Sequence, residues 1–188
     1  PAKKRLRKFS SLVASSDAAN AEVTTLSFAD NGQTAFSKAN WEYDPADSST
    51  QQRYFEITVK AAADTTYVVS FVDGSSVTGK TISGKTTVSI DISSVSNAAQ
   101  LITTIKNALT ALSDITVAEI APTGGSSANS VDGGKVTITQ GNAGAITDAV
   151  VTEAGWIVNS ATGVTISIAQ GADAGTALTE TNSTILSD

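Results

Sequence analysis

Apolar and polar residues alternate along much of this chain, and in one place the period lengthens. Val88, Ile90 and Ile92 alternate with Thr87, Ser89 and Asp91, the two-residue period of a half-buried strand. Directly afterwards Ala98, Leu101, Ile102, Ile105, Ala108, Leu109 and Leu112 recur at steps of three and four. That spacing draws one apolar stripe and predicts a helix over about 97–113. Asn97 followed by Gln100 fits a capping box at its start. Period-two patterns predict further strands at Glu22–Phe28, Ile115–Ile120 and Lys135–Gln140, with a weaker echo of the last at Val164–Gly171. Arg53–Lys60 places Phe55, Ile57 and Val59 on one face and Tyr54, Glu56, Thr58 and Lys60 on the other. Thr66–Val72 is apolar on both faces and suits a central strand. Thr81–Ser83 is a short strand candidate, and Asp73-Gly74 reads as a tight hairpin turn.

These elements predict a mainly β, α+β fold: an antiparallel β-sandwich-like domain with one covering helix and extended N- and C-terminal segments. The expected division is a basic arm at 1–20, a β-rich domain at 21–175 and a polar tail at 176–188. Val136-Thr-Ile and Val164-Thr-Ile are each followed by Gln-Gly and then Ala-Gly, which reads as two similar edge hairpins.

Composition narrows the chemistry. Only 5% of the residues are aromatic against 40% hydrophobic, so the core rests on Val, Ile, Leu and Ala. Cys, His and Met are all absent. The chain therefore has no disulfide, no thiolate nucleophile and no imidazole to act as base or metal ligand near neutral pH. A Ser–Lys pair is conceivable with Lys60, Lys80, Lys85, Lys106 or Lys135, but no motif ties one of them to a serine. Asp30, Asp44, Asp47, Asp64 and Asp73 sit in turn contexts, where Asp serves local hydrogen bonds. Asp44, Asp47 and Asp173 offer oxygen ligands without the spacing of a calcium loop. Gly79-Lys-Thr-Ile-Ser-Gly-Lys-Thr86 satisfies the letters of a phosphate loop but leads into a strand, so the helix N-terminus that would hold a phosphate is missing. No enzyme, cofactor or metal is expected.

Charge is distributed unevenly. The net charge is −6, yet Lys3, Lys4, Arg5, Arg7 and Lys8 supply five of the twelve basic residues. The remainder holds seven basic and eighteen acidic residues, a balance of −11. A cationic tip thus precedes an anionic body. With Phe9 beside it, this segment reads either as a solvated tail or as the candidate partner-binding element; if it is ordered, something outside it does the ordering. Its partner is an acidic surface, including one on another copy of the chain, or nucleic acid held weakly. Five phosphate contacts would give a log–log salt slope of at most about −4.5. Phe36, Trp41 and Tyr43 gather three of the ten aromatics just before a break at Asp44-Pro45; Trp41 and Tyr43 are candidates for a surface contact, although such residues more often anchor a loop onto the domain.

No apolar run approaches the roughly 20 residues of a membrane helix, so no membrane partner is expected. Pro1 reads as the position left after trimming of an initiator Met. Ser11–Ser16 is too short and polar for the apolar part of a signal peptide, so export is not expected.

The order of a strand at 67–72, Asp73-Gly74, a strand at 87–92, the helix from Ser96 to Leu109, a strand at 115–120 and Gly134-Lys-Val-Thr-Ile-Thr-Gln-Gly-Asn-Ala-Gly144 resembles β-sandwich-like modules of tailed-bacteriophage virion proteins. The likeness covers about residues 53–145. It implies a non-enzymatic structural component of a virion: a capsid decoration or minor capsid protein anchored by its arm. Its partners would be other virion proteins and copies of itself. A phage connector or tail component, or a bacterial surface or adhesin domain, is the alternative.

Overall fold

The computed structural model describes residues 19–29 and 35–144, together with the strands at 5–8, 163–169 and 184–187. It is mostly β, with one α-helix among the described residues and a sandwich-like α+β arrangement. The strands are β1 (Arg5–Lys8), β2 (Val23–Ala29), β3 (Phe55–Val59), β4 (Thr65–Val72), β5 (Thr86–Asp91), β6 (Ile115–Ile120), β7 (Lys135–Gln140), β8 (Gly163–Ala169) and β9 (Thr184–Ser187); α1 spans Ala98–Thr110. They form a four-stranded sheet in the order β6-β7-β2-β8, a three-stranded sheet β3-β4-β5 and a two-stranded ladder β1-β9.

The alternating residues of β2 explain the centre of the larger sheet. Thr24, Leu26 and Phe28 are buried while their neighbours are only partly so. The repeated Val-Thr-Ile segments lie on β7 and β8, which flank β2 antiparallel on its two sides. The expectation of two edge hairpins is corrected: β7 is internal, because β6 pairs along its other side.

A continuous core joins both larger sheets and the helix. It contains Leu26 and Phe28 from β2, Val136 and Ile138 from β7, Phe55, Phe71 and Ile90 from β3 to β5, and Leu101, Ile102, Ile105 and Leu109 from α1. The apolar stripe read from the sequence is therefore the buried face of α1. The Asn97 side chain accepts a hydrogen bond from Gln100 N at 2.9 Å. Gln100 Oε1 in turn accepts from Ser96 N, one residue further back than a standard capping box places it.

The antiparallel expectation fails at one pair: β5 runs parallel to β4. Asp73-Gly74 consequently closes no hairpin, and residues 73–85 carry the chain back across the sheet, with no strand at Thr81–Ser83. The parallel register puts Ser70 of β4 beside Ser89 of β5. Ser89 Oγ accepts from Gly79 N at 2.8 Å, and Ser70 Oγ accepts from Lys80 N at 2.9 Å. Any side chain at Gly79 would collide with Ser70 Oγ, so glycine is a steric requirement of this crossing. The same segment covers the second face of β3. Lys80 Nζ lies 5.6 Å from the centre of the Tyr54 ring, and Lys85 pairs with buried Glu56. This is why all five residues of β3 are buried despite their alternation.

Gln140, at the end of β7, joins the two sheets. Its Nε2 donates to Thr58 O at 2.8 Å, and its Oε1 accepts from Lys60 N at 3.0 Å. Asn142 Nδ2 donates to Lys60 O at 2.8 Å. The two amides replace a neighbouring strand along the outer edge of β3.

Candidate functional site

The structure separates the residues singled out in the sequence. Arg5, Arg7 and Lys8 lie on β1; Lys3, Lys4 and Phe9 lie outside the described residues. β1 has a partner within the chain: Arg5 stands opposite Ser187, Leu6 opposite Leu186, Arg7 opposite Ile185 and Lys8 opposite Thr184. The arm and the tail, read separately in the sequence, meet at these four positions.

Trp41 and Tyr43 require a correction as surface-contact residues, since they are only 2% and 7% exposed. Trp41 packs against Phe28 with ring centres 5.8 Å apart and planes tilted by 56°. Tyr43 N donates to Phe71 O at 2.7 Å, extending the sheet past the end of β3, and its hydroxyl donates to Gln51. Arg53 fastens the same segment, donating from one guanidinium nitrogen to Ala39 O at 2.6 Å and Glu42 O at 2.9 Å. Burial lowers the Arg53 pKa, while Asp47 and Glu42 oppose that shift. The aromatics are thus the inner side of a loop clamped onto the core, because two large rings bury more apolar area there than a contact patch would retain.

Two surface grooves lie among the described residues. A groove of about 270 Å³ is lined by Glu42, Tyr43, Asp44, Pro45, Asp73 and Val77. Asp73 is already engaged there by Lys38 at 3.2 Å, and Lys38 also donates to Ser93 O. Another groove, of about 360 Å³, runs beside α1 between Val95, Gln100, Thr103 and Ser126 and contains no charged side chain. Asp44 accepts from Ala46 N and Asp47 from Ser49 N, the local turn bonds that their context predicts. Asp173 lies outside the described residues. Among the described residues, no group of three or more Asp and Glu is placed to hold a metal ion. The amides of Gly79 and Lys80 are already bound to Ser89 and Ser70, and Lys85 to Glu56. The phosphate-loop letters therefore describe a crossing segment tied to its own sheet, with a strand after it. That strand belongs to a parallel pair and not to the hairpin expected. Among the described residues no helix is long and apolar enough to cross a membrane.

Asp91 pins the turn after β4. Its Oδ1 accepts from Ser93 N and Gly74 N. The Ser93 hydroxyl and amide, then Gly74 N and Lys38, hold its carboxyl below the usual aspartate value of 3.8. A depressed folded-state pKa contributes stability above the unfolded value, and that stability is lost as pH falls through the folded one. Asp91→Asn should therefore be less stable than the natural chain at pH 7, with the difference closing below about 3.8. Thermal melts at both pH values check this; a difference that persists in acid contradicts the assignment.

Sequence reasoning missed Arg53, Gln140 and the Ser70–Ser89 pair. For Gln140 a signal was present: a polar residue at an inward position of a strand whose other inward positions are Val136 and Ile138. Taken together, the described elements define a β-rich module internally cross-tied by side-chain-to-backbone bonds. No protein-family model matches the chain, and comparison with curated proteins and with solved structures yields no match.

Proposed function

We propose that this chain is a non-enzymatic structural component of a tailed-phage virion, a capsid decoration or minor capsid protein held by its N-terminal arm. The observation that carries the proposal is the division of charge. Five cations within residues 3–8 precede a remainder with a balance of −11, so one molecule presents both halves of an electrostatic contact between subunits. The likeness of residues 53–145 to virion modules supports the same reading. So do the polar side chains that bond to the chain's own backbone, as at Arg53, Ser70, Ser89, Gln140 and Asn142.

The test is incorporation. The full chain should co-sediment with tailed particles in a density gradient, while a chain lacking residues 1–16 stays folded by circular dichroism and remains in the soluble fraction. Recovery of the truncated chain with particles at the full chain's level would remove the arm's role. Absence of the full chain from particles would remove the virion assignment itself.

A further inference from the structure

The edges of the two larger sheets are treated differently. The outer edge of β3 is occupied by the amides of Gln140 and Asn142. β6 lies against α1 and carries Glu119, which accepts from Thr103 of the helix. Among the described residues β5 has no such protection. Ile92 N donates to Val72 O, which fixes the parity of the ladder: even-numbered residues of β5 bond to β4. The N–H and C=O groups of Thr87, Ser89 and Asp91 therefore point away from β4. Among the described residues no hydrogen bond reaches these groups. The strand contains no Lys, Pro or bulge, the devices that ordinarily blunt an edge, and Thr86 and Ser89 are exposed.

We propose that β5 is the contact between two copies of this chain, pairing antiparallel with the β5 of a second copy about a two-fold axis at Ser89. The edge is self-complementary in that register. Ser89 meets Ser89 as a hydrogen-bonded pair, Thr87 stands opposite the second copy's Asp91, and Val88 stands opposite the second copy's Ile90. Asp91 is the single charge in the strand and faces a hydroxyl, so no like charges are opposed. The two three-stranded sheets become one six-stranded sheet, and both open edges disappear. A six-residue edge buries less than the roughly 1,200 Å² of a stable interface, so the dimer is weak in dilute solution and gains from the crowding of an assembly. This contact names a self-partner for the assembly reading, but it does not use the arm.

The experiment combines sedimentation equilibrium with amide hydrogen exchange on the full chain, from micromolar to millimolar concentration. The expected result is a monomer–dimer equilibrium. The amides of Thr87, Ser89 and Asp91 become protected as dimer forms, while those of Val88 and Ile90 are protected throughout. Thr87→Asp places carboxylates opposite each other at two symmetric positions and should weaken the dimer about tenfold. Thr87→Lys places a cation opposite Asp91 and should leave the dimer as tight or tighter at low salt. Both variants lose the same hydroxyl bond to Lys80 O, so a fold defect would affect them alike. A chain that stays monomeric at millimolar concentration, or equal dissociation constants for both variants, overturns the proposal. Edge protection that vanishes on removing residues 1–16 also overturns it, by assigning the edge to the arm. Absence of the full chain from particles with the dimer intact would count against the virion reading alone, and leave the edge contact standing.

Discussion

Trp41→Ala should lower stability by about 3–5 kcal/mol, the range for emptying a fully buried large aromatic site. For a chain of this length that is a fall in Tm of roughly 10 °C. Trp41 is 2% exposed and touches Phe28 in β2, so its ring joins the 35–54 loop to the larger sheet. The vacated space is walled by strands on one side and by a loop on the other. The loop has its own anchors: Arg53 bonded to Ala39 O and Glu42 O, and Tyr43 N bonded to Phe71 O. Those bonds resist collapse into the cavity, which puts the cost toward the upper end. Trp41→Phe keeps an aromatic contact with Phe28 and should recover more than half of the loss. Chemical denaturation checks both values; a loss under about 1 kcal/mol for Trp41→Ala would mean that the ring is not part of the core.

Gln140→Leu should cost about 2–4 kcal/mol although it keeps the apolar volume near that of the natural side chain. The substitution removes the acceptor for Lys60 N and the donor to Thr58 O, both on the outer edge of β3. Losing a partner at a buried backbone group costs about 1–3 kcal/mol, more than the bond itself adds. Gln140→Glu separates hydrogen bonding from shape. Its carboxylate still accepts from Lys60 N but opposes the Thr58 carbonyl, so the neutral acid is favoured and the folded pKa is raised. Stability from that group is present below its unfolded value near 4.3 and lost as pH rises through the folded one. Gln140→Glu should accordingly be relatively most stable in acid, the opposite direction to Asp91. Equal stability of both variants at every pH would show that Gln140 acts only as filler.

These expectations rest on features of unequal visibility. The alternation over Thr87–Ile92 and the three- and four-residue steps over Ala98–Leu112 are local, and local periodicity suffices to place β5 and α1 within a few residues. Asn97 was legible as a cap for the same reason: its bond to Gln100 N spans three residues. The aromatic cluster was legible with two orientations open, a loop anchor and a surface contact, and burial decides for the anchor. Whether Trp41 and Tyr43 face water depends on Phe28, Phe71 and Arg53, which are between ten and thirty residues away. The basic run at Lys3–Lys8 was evident from composition, whereas the pairing of Arg5–Lys8 with Thr184–Ser187 joins opposite ends of the chain, beyond any local pattern.

By itself the sequence determined the β-rich class, the helix at Ala98–Thr110, the reliance on aliphatic packing and the uneven charge, because each follows from residue type and short-range spacing. The tertiary structure alone decided the direction of β5 relative to β4, the burial of the loop aromatics, the bridge at Gln140 and the turning of the Thr87, Ser89 and Asp91 backbone groups away from β4. A strand's alternation says which residues share a face and is silent on which neighbour it joins or in what direction. Those choices are made by groups distant in sequence that must satisfy their hydrogen bonds and fill the same space at once.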